Sequence, residues 1–324
     1  MPITEPQRIL TLNALRFKEE PFSTSADTRF LYLSNQHGDI LARTQNIIDQ
    51  RKGLAVITGA YGIGKSTVAR RLDQLYRMAP DEYFVLFVAN ASYESEWAAL
   101  EDFCAACGLT PKRGLTGTWR LLEDYLNKVK ANGRNIVMLL DDAQLMSPAA
   151  LTALQHLYNY DVQGKIVQVI LFGQPEIRQV FNKRPEVLSR VYNWFELNPL
   201  TSPEAYSLIQ FRCNVAGRTD NLLNRKQFLE VYEVTGGVPR YLVNMCSLIV
   251  DQVMVQGKEE VDDQVVRDAI SEFESRYQVP AGMQAPLPRL DVPAFIPEEQ
   301  RPHTRIRRNG QGKGSEPSNE TSAE

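Results

Sequence analysis

The feature that most constrains this chain is a glycine-rich segment, residues 59–66, which directly follows the apolar run of residues 54–58. Its glycines, lysine and serine have the spacing Gly-x-x-x-x-Gly-Lys-Ser, and an amphipathic helical pattern comes after it. A buried strand, a glycine-rich turn and a helix in this order form a phosphate-binding P-loop. Backbone N–H groups of such a loop turn inward around an anion, and the helix dipole favours the same charge. The segment therefore predicts a nucleotide site, against the alternative of a chance glycine-rich turn.

Each part of this loop has a predicted role in binding ATP and Mg²⁺. Its glycines allow backbone conformations that residues with a Cβ atom rarely adopt. Lys65 directs a positive charge at the β- and γ-phosphates, Ser66 offers a hydroxyl to Mg²⁺, and Thr67 is a less favoured substitute for it. A dinucleotide-binding loop is excluded, because its spacing requires Gly or Ala at position 67. The predicted nucleotide-binding residues are Gly59, Ala60, Tyr61, Gly62, Ile63, Gly64, Lys65, Ser66 and Thr67.

Two consecutive acids, Asp141 and Asp142, follow the apolar run of residues 136–140. Asp141 is predicted to hold Mg²⁺ together with Ser66, and Asp142 to orient and polarise the attacking water. Alone, the pair is also typical of acids that begin a helix after a strand. Together with the P-loop upstream, it indicates the second half of a nucleotide-hydrolysing site.

Four further polar side chains are candidates for contacts with the reacting phosphate. Gln174 ends the next predicted strand, where it can contact the γ-phosphate or the water, or serve only as a turn residue. Arg190 precedes the last predicted strand and is a candidate arginine finger for a neighbouring subunit, with Arg184 as the second choice. Arg240 begins a later helix and can reach back to the γ-phosphate. For each arginine, a surface salt bridge is the alternative interpretation.

The order of predicted elements indicates an α/β fold followed by a small helical domain. Strands alternate with helices through residues 51–200, which predicts a parallel sheet flanked by helices. Only helical patterns follow in residues 201–277, as expected for a small all-helical domain. Residues 278–324 are rich in Pro, Gly, Ser, Glu and Arg, and they are predicted to be a disordered tail. Residues 1–50 form an amphipathic N-terminal segment that is expected to place its aromatic residues near the first strand.

Composition and charge bound the remaining function classes. The 324 residues are 43% hydrophobic and 23% charged with a net charge of −3, so overall charge predicts no attraction to nucleic acid. The sequence has no run of about 18 apolar residues, and its first eight residues lack a signal-peptide core, so we expect a cytoplasmic protein without a membrane span. The four cysteines include one lone Cys-x-x-Cys pair, Cys104 and Cys107, which fits a helix core better than zinc or redox chemistry.

From residue 17 to residue 270, the chain resembles AAA+ ATPases of the ExeA kind, a family associated with type II secretion. The matching motifs are residues 17–22, the Phe30–Leu33 piece, the P-loop, residues 141–144, 173–176 and 198–200, and residues 236–240. This resemblance implies an ATPase core with a helical lid that acts as a ring or filament through subunit interfaces, together with a protein partner. By family motif, Gln174 matches sensor 1, Arg240 matches sensor 2 and Arg190 matches the finger position.

Asp142 departs from this family, which usually has a glutamate there. An aspartate is one methylene shorter, so its carboxylate falls about 1 Å short of the water, a shift that can cost on the order of 10²-fold in rate. The resemblance is equally good to transposon-encoded AAA+ regulators of the TnsC/TniB kind, which bind DNA and recruit a transposase. The sequence thus predicts an ATP-hydrolysing regulator of a partner complex, with a DNA-bound transposition regulator and a slowly hydrolysing nucleotide-gated scaffold as alternatives.

The predicted tail contains basic residues with no acid among them. It is either a solvated segment or a tether to DNA or another acidic surface. These residues are Arg301, Arg305, Arg307, Arg308 and Lys313.

Overall fold

The computed structural model describes residues 5–23, 27–159 and 167–277 of the chain. The predicted disordered tail and its basic cluster lie outside these residues. Among the described residues, none of the helices has the length and apolar character needed to cross a membrane.

The centre of the fold is a five-stranded, fully parallel sheet with the strand order β2-β3-β4-β1-β5. Its strands are β1 Leu54–Gly59, β2 Tyr83–Val88, β3 Asn135–Leu140, β4 Val167–Gly173 and β5 Val191–Leu197. The three inner strands are buried along their whole length, which explains their continuous apolar sequences. The predicted α/β fold class is confirmed, because every strand is preceded and followed by a helix.

The part of the chain that the structure describes contains twelve α-helices beside the sheet. They are α1 Glu5–Ala14, α2 Asn35–Asp49, α3 Lys65–Arg77, α4 Glu96–Ala106, α5 Leu115–Ala131, α6 Leu151–Asn159, α7 Ile177–Asn182, α8 Pro185–Leu188, α9 Ser202–Val215, α10 Arg225–Thr235, α11 Pro239–Val255 and α12 Asp263–Arg276. Successive residues of a strand point to opposite faces, so Val56 packs on α4–α6 whereas Ile57 packs on α2 and α3. The α4 residue Cys104 is buried in the first of these cores, and it is a free thiol, as the sequence predicts.

Helices α9–α12 enclose a separate core, which includes Leu15 and three aromatic residues of the N-terminal segment, whereas α2 of that segment packs on the sheet. Phe17, Phe22 and Phe30 are buried in this core together with residues such as Phe228 and Phe273. The expectation that these aromatic residues lie near the first strand is therefore wrong. The physical reason is that α9–α12 present apolar side chains to a common core, and the three rings of the N-terminal segment help to cover them.

Backbone contacts fix this helical lid against the P-loop. Leu200, which follows β5, donates its N–H to Gly237 O at 2.9 Å and accepts a hydrogen bond from the Tyr232 hydroxyl at 3.0 Å. A Cβ atom at position 237 would lie 2.3 Å from Leu200 O, so this approach requires glycine. Arg240 then donates its N–H to Gly62 O at 3.2 Å, which places the start of α11 directly on the loop.

Candidate nucleotide-binding site

The predicted P-loop connects the end of β1 to the start of α3, and its backbone requires glycine at both ends. A Cβ atom on Gly59 would lie 2.8 Å from Leu197 O of the neighbouring strand. Gly64 has a φ of +109°, and a Cβ atom there would lie 2.5 Å from His37 Nε2. These glycines allow the loop to curve tightly between β5 and α2 with its N–H groups available to an anion.

The side chain of Lys65 lies beneath this loop. It is 7% exposed, and its ammonium donates hydrogen bonds of 2.9 Å to Gly59 O and Ala60 O. Burial lowers the pKa of Lys65, while the carboxylates of Asp141 and Asp142 oppose that shift. The lysine charge is thus held close to the loop N–H groups, where phosphate oxygens would bind.

His37 of α2 supports the loop from outside, a role that sequence reasoning missed. Its Nε2 lies 3.0 Å from Ile63 O, and its Nδ1 lies 2.8 Å from the hydroxyl of Ser34, the N-cap of α2. Burial lowers the pKa of His37, so the ring is neutral near pH 7 and donates one proton only. Donation from Nε2–H to Ile63 O holds this carbonyl outward, which leaves the loop N–H groups facing in.

The two acids at the end of β3 lie beside the start of α3. Asp141 is 6% exposed and accepts hydrogen bonds from the Ser66 hydroxyl and, at 2.9 Å, from the Asp142 N–H. Burial raises the pKa of Asp141, and these two hydrogen bonds oppose the shift. Asp142 has a left-handed backbone conformation, with a φ of 53°, which turns its side chain away from the strand direction.

The pair Ser66 and Asp141 fits the coordination chemistry of Mg²⁺. A hydroxyl and a carboxylate are hard oxygen ligands, and Mg²⁺ keeps several waters while it binds one or two protein groups and substrate phosphates. Among the described residues, no group of three or more His, Cys, Asp or Glu side chains converges into an all-protein metal site. Thr67 is half-buried one residue further along α3.

Gln174 lies next to the P-loop because β4 is the neighbour of β1. The register pairs Thr58 with Gly173, so the residue that follows each of them begins its loop at the same edge of the sheet. The Gln174 N–H donates to Gln144 Oε1 at 2.9 Å, and Gln144 Nε2 donates to Asp142 Oδ1 at 3.1 Å. Gln144 belongs to one of the matching motifs, but sequence reasoning gave it no role.

Arg240 reaches the P-loop with its side chain as well as its backbone. The guanidinium carbon lies 4.6 Å from the centre of the Tyr61 ring, and the guanidinium also hydrogen-bonds the Tyr61 hydroxyl. Its positive charge contributes to lowering the pKa of Lys65, so the two cations lie close together. Two neighbouring cations favour a ligand with several negative charges.

The two candidate finger arginines lie in different surroundings. Arg190 immediately precedes β5, at the end where Val191 pairs with Leu54, whereas the P-loop follows the other end of β1. A strand of this length places Arg190 roughly 20 Å from the P-loop of its own chain. Arg184 instead holds α6, with guanidinium hydrogen bonds of 3.1 Å to Pro148 O and 3.0 Å to Thr152 Oγ1. The structure thus brings neither arginine into its own site.

Comparison with known proteins agrees with this arrangement. A family profile described as "AAA domain" matches residues 48–181. The "General secretion pathway protein A" of Aeromonas hydrophila is 30% identical over 249 residues, which are 75% of this chain and 45% of that protein. The chain therefore spans less than half the length of this curated relative.

Solved structures show the same fold at low sequence identity. "Cdc6p" from Pyrobaculum aerophilum has a TM-score of 0.62 and 18% identity over 78% of this chain and 70% of that one. The "ORC2 protein" of Aeropyrum pernix has a TM-score of 0.60 and 16% identity over 78% of this chain and 73% of that one. The chain therefore contains an AAA domain over residues 48–181, its sheet and helical lid have the AAA+ fold, and it is similar to the ExeA kind of protein.

Proposed function

We propose that this chain binds and hydrolyses ATP with Mg²⁺, assembles through subunit interfaces and regulates a partner complex. One observation carries the enzymatic part. The buried ammonium of Lys65, the hydrogen-bonded pair Ser66 and Asp141, and the Asp142 carboxylate lie together at one edge of the sheet. These groups supply phosphate binding, metal binding and proton acceptance within a single site.

Binding of the triphosphate uses groups that already face the loop. The N–H groups of residues 60–66 donate to the β-phosphate, and Lys65 exchanges its bonds to Gly59 O and Ala60 O for phosphate oxygens. Ser66 and Asp141 would hold Mg²⁺, which, when bound, neutralises charge on the β- and γ-phosphates. Arg240 leaves the Tyr61 hydroxyl for the γ-phosphate, which couples the lid to the nucleotide.

Hydrolysis requires a base, and Asp142 is the residue proposed for it. Its carboxylate accepts the proton of the attacking water, while Gln174 contacts the water or the γ-phosphate. Because aspartate is about 1 Å shorter than glutamate, we propose a rate on the order of 10²-fold below that of a glutamate-containing site. A slow rate of this kind favours the alternative of a nucleotide-gated scaffold.

Assembly is proposed from the position of Arg190. This residue lies at the opposite end of β5 from its own P-loop, so it can reach a γ-phosphate only in another subunit. A head-to-tail arrangement of this kind forms a closed ring or an open filament. ATP and reduced thiols are both available in the cytoplasm, and the four cysteines are free thiols, so we place the protein in this compartment.

DNA is the second candidate partner. A solved structure of the same fold carries the description "Aeropyrum pernix ORC1 protein in complex with DNA" and has a TM-score of 0.61. Anisotropy measurements with a random duplex, with ATP present and at several salt concentrations, distinguish a DNA-bound regulator from a protein-directed one. An affinity for DNA that falls as the salt concentration rises supports a DNA-bound regulator, because the release of counterions from DNA drives its binding to proteins.

The test of the central proposal is the variant Lys65→Ala. Removal of a charge-assisted contact costs about 1.5–3 kcal/mol, so the affinity for a fluorescent ATP analogue should fall at least roughly tenfold. Lys128→Ala, an exposed lysine of α5, is the matched control and should bind like the wild type. If Lys65→Ala and Lys128→Ala bind the analogue with equal affinity, the proposed nucleotide site is contradicted. If the wild type binds ATP without releasing phosphate, the proposed hydrolysis is contradicted.

A further inference from the structure

The side chain of Gln144 connects the two strand ends that carry the proposed chemistry. Gln144 is half-buried in a short turn of 3₁₀-helix, Ala143–Leu145, directly after the acids of β3. Its Nε2 donates to Asp142 Oδ1 at 3.1 Å, and its Oε1 accepts the N–H of Gln174 at 2.9 Å. We infer that Gln144 is a positioning residue for ATP hydrolysis, which orients the Asp142 carboxylate and fixes the start of the Gln174 loop. This inference rests on the hydrolytic function proposed above.

The two partners leave only one orientation for this amide. A backbone N–H can only donate, so the atom that faces Gln174 must be the amide oxygen of Gln144. The amide nitrogen then faces Asp142, whose ionised carboxylate can only accept. A primary amide is neutral and combines a donor and an acceptor in one rigid plane, so glutamine satisfies both partners at once. Glutamate at position 144 would face the carboxylate of Asp142 with another acceptor and a like charge.

The neighbouring strand leaves room for this bridge. A Cβ atom on Gly173 would lie 3.2 Å from both the backbone nitrogen and Oε1 of Gln144, which is closer than ordinary van der Waals contact. Glycine at position 173 therefore lets the turn after β3 approach the end of β4. A Cβ atom there would press on the amide that bridges the two strand ends.

The bridge matters most because the base is an aspartate. Asp142 has one side-chain torsion fewer than glutamate and a left-handed backbone, with a φ of 53°, so its carboxylate has a narrow range of positions. A hydrogen bond from Gln144 to Oδ1 fixes the plane of the carboxylate and leaves Oδ2 for water. The same amide also accepts the Gln174 N–H, so it fixes the distance between the Asp142 carboxylate and the backbone of Gln174. A misplacement of about 1 Å can cost on the order of 10²-fold in rate, so loss of the bridge should be visible in turnover.

The test compares Gln144→Met and Gln144→Glu with the wild type in phosphate release and ATP binding. Methionine keeps the volume and removes both hydrogen bonds, whereas glutamate keeps only the acceptor for Gln174. Both variants should lower kcat by about 10- to 100-fold. The ATP dissociation constant should stay within about threefold, since Lys65 and Ser66 are unchanged. Gln179→Met replaces an exposed glutamine of α7 and should leave kcat unchanged.

The split between kcat and ATP binding separates positioning from a general structural role. In both variants kcat should fall while the ATP dissociation constant stays near the wild-type value, as expected when only the hydrolytic step is affected. A merely structural defect would weaken ATP binding together with kcat. Wild-type kcat in Gln144→Met, or a loss of ATP affinity that matches the loss of kcat in both variants, overturns the inference while wild-type turnover stands. Absence of turnover in the wild type overturns the hydrolytic function itself.

Discussion

Mild acid should destabilise this protein through His37, the residue that holds the P-loop from the side of α2. The ring is 3% exposed, so burial disfavours its charged form, although its hydrogen bond to Ile63 O opposes that effect. Burial lowers its pKa in the folded state, whereas the unfolded chain has the ordinary value of about 6.5. Above that pH neither state binds a proton here. As the pH falls below it, the unfolded state is protonated first, so stability decreases.

The size of the effect follows from one proton. Each pH unit below about 6.5 costs up to 1.36 kcal/mol, so at pH 5 the loss reaches at most about 2 kcal/mol if the folded ring stays neutral. With a urea m-value of about 2 kcal/mol per molar, this corresponds to a midpoint shift of roughly 1 M. Such a shift is large against a total stability of about 5–15 kcal/mol, so it is readily measured.

The measurement is urea unfolding between pH 7.5 and pH 5.0 for the wild type and His37→Gln. The glutamine amide can donate to Ile63 O but does not titrate, and all other ionisable groups are shared, so their contributions cancel in the difference. We expect the wild type to lose up to about 2 kcal/mol more than the variant. His156→Gln replaces an exposed histidine that pairs with Glu96 at 2.9 Å, and it serves as the control. Equal pH dependence in the wild type and His37→Gln would refute a buried, neutral His37.

Three further predictions concern the base, the subunit interface and the lid. Asp142→Asn should bind ATP normally but lose about 10²-fold or more in phosphate release, because an amide cannot accept the proton of water, whereas Asp142→Glu should accelerate release. Arg190→Ala should bind ATP without turnover. If the finger acts across an interface, mixing this variant with Asp142→Asn subunits should restore ATP hydrolysis. Mixed subunits that assemble without recovering hydrolysis would contradict action across the interface. Phe17→Ala should lower the free energy of unfolding, measured by urea titration, by about 3–5 kcal/mol. The control is Leu10→Ala, whose side chain is 68% exposed, and it should lower this free energy by less than about 0.5 kcal/mol.

The sheet and the P-loop could be predicted from sequence because their signals are local. The apolar runs of residues 54–58 and 136–140 agree to within one residue with β1 and β3, and the spacing of the glycines and Lys65 defined the loop. Two short helices after β4, Ile177–Asn182 and Pro185–Leu188, have too little periodicity to be recognised. Proline at position 148 is typical of the first turn of a helix, but α6 begins at Leu151, because the Ser147 hydroxyl caps the preceding turn by accepting the Ala150 N–H.

The support of the site could not be predicted, because it depends on contacts between residues far apart in the chain. The bond from His37 to Ile63 spans 26 residues, and the bond from Gln174 to Gln144 spans 30. The burial of Phe17 in the lid depends on helices that begin after residue 201. No local pattern distinguishes a histidine that caps a carbonyl from one on a surface, so only the folded chain reveals these roles.

The same contacts indicate how the site communicates with the rest of the molecule. The start of α2 touches both the loop, through His37 and Ile63, and the connection to the lid, where Gln36 Oε1 accepts the Asn198 N–H at 3.0 Å. The lid itself rests on the loop through the Arg240 N–H. Strands β1, β3 and β4 are buried along their length, and close-packed interiors deform little, so a displaced loop moves these peripheral contacts rather than the sheet. We therefore expect the lid and α2, rather than the sheet, to report which nucleotide is bound.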